Sequence, residues 1–127
     1  MNLLLDTHAV IWFMTDDGKL KEGNKELVES KENNAFVSIA SLWEMGIKHS
    51  LYKLTLRTEL KEVFELIERS GFEVLPITPE HILTSASLPF HHRDPFDRLL
   101  IAQAKSEQLL LMTKDPWVLN YEVQSIW

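Results

Sequence analysis

Apolar positions along the chain follow two rhythms. Short unbroken runs suit strands buried on both faces, and longer stretches repeat every three to four residues as helices do. NLLLD (2–6) is a buried strand ending in an acid, and THAVIWFMT (7–15) is a helix capped by Asp6 or Thr7. DDG (16–18) breaks it, and the charged stretch 19–32 reads as a solvated helix frayed at Gly23. NNAFVS (33–38) holds a second strand. In SIASLWEMGIKHSLYKL (38–54), Ile39, Leu42, Trp43, Ile47 and Leu51 mark a helix with Trp43 in the core. TELKEVFELIERSG (58–71) buries Leu60, Val63, Phe64 and Ile67 and ends at Gly71. FEVLPI (72–77) is a third strand, and PEHILTSASL (79–88) is a helix opened by Pro79. Residues 95–108 form a further helix, LLLMT (109–113) a fourth strand, DPWVLNY (115–121) a capped turn, and EVQSIW (122–127) an edge strand.

Strands that alternate with helices imply an α/β fold with a mainly parallel central sheet, here of four to five strands flanked by helices. With 127 residues and no repeat or linker, the expectation is one compact domain spanning 1–127. No cysteine is present, which excludes disulfides and thiolate metal sites and fits a cytoplasmic setting. The apolar N-terminus carries Asp6 and His8 and lacks a basic leader, so it is not read as a signal peptide, and no membrane segment is expected. The net charge of −6 is unlike that of a generic nucleic-acid binder. Contact with nucleic acid would need a local basic patch or a bound cation.

The acids are where chemistry enters. In open parallel sheets, ligands bind at the carboxyl ends of the strands. Asp6 ends the first strand, Glu44 lies on the helix after AFVS, Asp97 opens the helix after HHRDPFDR, and Asp115 follows LLLMT. Four acids from four segments could meet at one sheet edge, and hard divalent cations want oxygen ligands, commonly a few carboxylates plus water. Each also has an ordinary reading. Asp6, Asp94 and Asp115 suit helix caps, the last two being followed by proline. Glu44 and Lys48 are spaced as a surface ion pair. Asp97 falls at the third helical position, where a carboxylate favours the helix dipole.

Four blocks in order, LLLDTHAVIW, SIASLWEMGIK with YKLTL, HHRDPFDRLLIAQA and MTKDP, carry a resemblance that runs over essentially the whole chain. The sequence resembles the PIN-domain family and, within it, the VapC-type toxins of toxin–antitoxin pairs. The resemblance implies that Asp6, Glu44, Asp97 and Asp115 hold one or two Mg²⁺ or Mn²⁺ ions. It implies that Thr113 lines the pocket and that Asp94 is chiefly a cap. It further implies an endoribonuclease in which a metal-activated water leaves a 5′-phosphate and a 3′-hydroxyl. A small antitoxin and a homodimer are the expected protein partners.

Phosphate contacts are expected from Lys48, Arg93, Arg98 and Lys114, with an ion pair as the alternative for Arg98. Trp12 and Trp117 could stack on RNA bases, although core packing is the simpler expectation for both. The five histidines form no triad with a serine, and His91 and His92 are placed on a loop near the site. A receiver-like domain is disfavoured because neither AFVS nor FEVLPI ends in an acid, and a DxD phosphatase because His8 stands at the second position. A non-catalytic RNA- or protein-binding module with the same fold remains the main alternative.

Overall fold

Three consecutive leucines show how the layers form. Side chains alternate along a strand, so Leu3 and Leu5 face one way and Leu4 the other. All three are fully buried. Leu3 and Leu5 pack with Ala9, Val10, Val37, Met45 and Ile67 on one side of the sheet. Leu4 packs with Leu100, Ile101, Leu111 and Val118 on the other. Burying each such side chain is worth about 1.5–3 kcal/mol, and losing one would open a cavity between sheet and helix.

The computed structural model describes residues 1–54, 56 and 58–127. Thr55 of the YKLTL block, together with Arg57, lies outside the described residues. Five strands form one sheet: β1 (Asn2–Leu5), β2 (Asn34–Ser38), β3 (Glu73–Leu75), β4 (Leu110–Met112) and β5 (Ser125–Ile126). Their order is β3-β2-β1-β4-β5 and every pairing is parallel. The helices are α1 (Thr7–Met14), α2 (Glu22–Glu29), α3 (Ile39–Ser50), α4 (Leu60–Arg69), α5 (Pro79–Ser87) and α6 (Pro95–Glu107). A 3₁₀ turn spans Pro116–Asn120. The expected α/β architecture with a parallel sheet is therefore what forms, and the last strand is the expected edge.

The strand order fixes the position of a site. From β1 the chain winds outward through β2 to β3, then returns to place β4 against the other side of β1. Loops leaving β1 and β4 diverge there, opening a crevice at their carboxyl ends. Asp6 leaves β1 and Thr113 leaves β4 into that crevice.

Two packing expectations are corrected. Trp43 is 61% exposed, and Ile39 and Leu51 are also exposed. Helix α3 instead buries Ala40, Ser41, Glu44 and Met45, because small side chains allow close approach to α1 and α6. Trp43 meets Phe96 edge-on at the surface. Trp117 is half exposed rather than in the core, while Trp12 is partly buried against Trp127. The charged helix is shorter than expected, because residues 19–21 lie before its start and 30–32 after its end.

Candidate metal centre

The crevice holds a pocket of about 400 Å³. Asp6, Glu44, Asp97 and Asp115 all line it, with Asp94, Lys48, Lys114, Thr7, His8 and Trp12. A larger groove of about 600 Å³ lies between α1 and α4, but it is mainly apolar and contains one acid, Asp17. The smaller pocket is where the chemistry-bearing groups converge.

Each acid is held by its own local structure. Asp6 caps α1, its Oδ1 accepting the Ala9 backbone N–H at 2.8 Å. Its Oδ2 accepts the Thr113 hydroxyl at 2.6 Å. Burial raises the Asp6 pKa above the ordinary carboxylate value, with Asp115 adding to the rise; the Thr113 and Ala9 hydrogen bonds and nearby His8 oppose it. Glu44 is buried on α3. Its Oε1 accepts the Thr7 hydroxyl at 2.6 Å, and its Oε2 pairs with Lys48 Nζ at 2.7 Å. The ordinary i,i+4 ion pair therefore exists, but its acid end is buried in the pocket wall.

Asp94 and Asp97 divide the labour at the start of α6. Asp94 Oδ1 accepts the backbone N–H groups of Phe96 and Asp97, which makes it the helix cap. Asp97 makes no cap and turns toward the other acids. Its pKa is pushed up to about 8, first by burial and then by Asp115, Asp94 and Glu44. Asp115 caps the 3₁₀ turn through the Trp117 N–H, and its own N–H donates to Thr113 Oγ1 at 3.1 Å. Carboxylates gathered this closely repel one another unless a proton or cation lies between them. Their hard oxygen donors fit Mg²⁺ or Mn²⁺.

One nitrogen joins them. Ligand atoms of His92, Asp97 and Asp115 all lie within 4.8 Å of one another. His92 thus stands beside the acids, as the loop placement anticipated. Tyr121 was not anticipated; its hydroxyl contacts His92 Nδ1 at 2.8 Å across 29 positions, a separation that leaves no local signal. Thr7 was also missed, although its place next to Asp6 was a usable clue.

Arg98 departs from expectation. It is buried, and its guanidinium donates to the carbonyls of Ser85, Leu88 and Pro89 and to Tyr121 Oη. It stitches the end of α5 and the turn after it to α6 and is not available to a phosphate, and among the described residues it does not form the alternative ion pair. Arg93 is exposed but does not line the pocket, whereas Lys48 and Lys114 do. His81 is buried as part of the α5 capping box and bonds Glu107, away from the acids.

A family model for the PIN domain matches residues 3–119. No curated protein matches the sequence. Among solved structures, the chain is similar to one from VapBC2 of Rickettsia felis bound to a DNA fragment from their promoter. That match has 16% identity and a TM-score of 0.76, and it covers 99% of this chain and 98% of the other. It is also similar to VapBC-1 from nontypeable Haemophilus influenzae, with 16% identity, TM-score 0.73 and coverage of 99% and 97%. A third is FitAcB from Neisseria gonorrhoeae, with 18% identity, TM-score 0.69 and coverage of 98% and 96%. At these identities the likeness is one of fold, and it agrees with the all-parallel five-stranded sheet found here. The family model covers nearly the whole chain, including Asp6, Glu44, Asp97 and Asp115, and the protein belongs to the PIN-domain family.

Proposed function

We propose that the protein is a metal-dependent endoribonuclease and the toxin of a toxin–antitoxin pair. One observation carries the reading: acids from four separate segments share a single pocket at the switch point of a parallel sheet. Structures of similar fold include two VapBC proteins and a toxin–antitoxin complex from Klebsiella pneumoniae, which supports a small antitoxin as the protein partner. A homodimer and a cytoplasmic location accord with the same reading. Among the described residues no helix is long and apolar enough to cross a membrane.

Asp6, Glu44, Asp97 and Asp115 would hold Mg²⁺ or Mn²⁺. Such an ion, when bound, lowers the pKa of a water and offsets charge on a phosphate. The protein's own part is to fix the carboxylates. Thr113 and Ala9 aim Asp6, and Thr7 aims Glu44. Lys48 and Lys114 at the pocket rim supply positive charge for the RNA backbone.

The test is cleavage of candidate tRNAs with Mn²⁺ by wild type and Asp97→Asn. The proposal expects the variant to lose nearly all cleavage, with wild-type products bearing 5′-phosphates. Undiminished cleavage by the variant would refute it. Absence of cleavage by either, with RNA still bound, would favour the non-catalytic binding module.

A further inference from the structure

His92 presents an unusual atom to the acidic pocket. Its side chain is nine-tenths buried, at 10% exposure, and stacked on the Trp117 ring 6.0 Å away. Its Nε2 is buried and has no hydrogen-bond partner among the described residues. That nitrogen lies 3.5 Å from Asp97 Oδ2. The separation is long for a hydrogen bond. It is suitable for two ligands sharing one ion, each about 2.1 Å from it. Asp115 offers a third ligand atom in the same cluster.

We propose that His92 Nε2 is a nitrogen ligand of the divalent ion held by Asp97 and Asp115, and that it biases the site toward Mn²⁺ over Mg²⁺. The inference rests on the metal-dependent reading above. The far side of the ring is built for that task. Metal-bound imidazoles donate their other ring N–H to a fixed acceptor, which sets the ring orientation. Tyr121 Oη, 2.8 Å from Nδ1, is that acceptor. It is itself pinned by Arg98 at 3.2 Å, and its own proton has the His92 carbonyl within 3.5 Å. The buried Arg98 therefore acts on the site through Tyr121 and His92 as a positioning residue. Mn²⁺, as a transition ion, accepts an imidazole nitrogen beside its oxygen ligands more readily than Mg²⁺, which keeps to oxygen and water.

The experiment is electron spin-echo envelope modulation on the full-length protein loaded with Mn²⁺ alone, with Mn²⁺ and Mg²⁺ affinities measured by calorimetry. The expected result is nitrogen modulation in wild type that persists in His8→Gln, the other histidine at the pocket, and disappears in His92→Gln. Mn²⁺ affinity should fall about tenfold in His92→Gln, and Mg²⁺ affinity much less. If His92→Gln does not fold, the double variant His8→Gln/His91→Gln decides, since it must keep the nitrogen signal. Mn²⁺ bound without nitrogen modulation, or modulation lost in His8→Gln, overturns the inference and leaves the metal-dependent reading intact. Failure of wild type to bind Mn²⁺ at all overturns both.

Discussion

The Thr113 hydroxyl donates to Asp6 Oδ2 at 2.6 Å, joining the ends of β1 and β4 across 107 positions. The Thr113 Oγ1 in turn accepts the Asp115 backbone N–H at 3.1 Å. One side chain thus sets the spacing of two pocket acids. Thr113→Val keeps the shape and removes the hydroxyl. It should destabilise the fold by about 1–3 kcal/mol, the usual result of stripping a partner from a buried polar group, and weaken Mn²⁺ binding. Thr113→Ser should restore both. Urea unfolding and calorimetry measure the two effects, and a Thr113→Val protein unchanged in both would contradict the assignment.

Acidity gives a second prediction. Burial and neighbouring acids raise Asp97 from 3.8 to about 8 in the folded protein. Without a cation, the folded state keeps a proton that the unfolded chain releases near pH 3.8. The contribution of Asp97 to stability is therefore full below that pH and drains away as pH rises through about 8. The raised Asp6 pKa acts in the same direction. In EDTA, Asp97→Asn should be more stable than wild type at pH 8, with the gap narrowing toward pH 4. Melting temperatures across that range test this. Added Mn²⁺ should reverse the order at pH 8, because it binds the ionised form.

Lys48 holds Glu44 in the pocket wall at 2.7 Å. Lys48→Met removes the cation paired with Glu44, which on the proposed function would compete with the metal and meet the RNA backbone. Mn²⁺ should bind more tightly to this variant, by several-fold, while RNA binding weakens and its salt dependence falls by about one phosphate contact. Tighter RNA binding would contradict this placement.

Arg98 should behave as a structural residue. Arg98→Met removes the guanidinium from three carbonyls and Tyr121 Oη; Ser85 keeps the Leu88 N–H and Tyr121 keeps His92, but Leu88 and Pro89 lose the donor given by Arg98. A loss on the order of 3 kcal/mol is expected in urea unfolding. Arg98→Lys should recover only part of it, because an ammonium cannot reproduce the planar fork. The salt dependence of RNA binding should not change, in contrast to Lys48→Met.

The contrast between Arg98 and Asp94 shows what the sequence could and could not convey. Asp94 and Pro95 act within one helical turn, so the cap was legible in local spacing, whereas the same spacing gave Asp97 only an ordinary first-turn role and the family resemblance alone marked it for the pocket. The short apolar runs also marked the strands directly, and strand ends placed Asp6 and Asp115. Arg98 finds its acceptors in backbone carbonyls at the end of α5 and in the turn after it, which no side-chain pattern announces. Helix α3 misled for a related reason. Its large apolar residues suggested one face, but its small residues permit the closer packing, and they carry Glu44 inward with them. His92 was seen as near the site; its pairing with Tyr121 depends on tertiary structure alone.

The central claim is that folding gathers Asp6, Glu44, Asp97 and Asp115 around one cation position. Anomalous diffraction from crystals of the protein grown with Mn²⁺ measures this directly. The account predicts a strong anomalous peak within bonding distance of Asp97 and at least one other of these carboxylates, absent in Asp97→Asn. Ordered crystals saturated with Mn²⁺ that show no peak in the pocket, or one only at surface acids elsewhere, would contradict it.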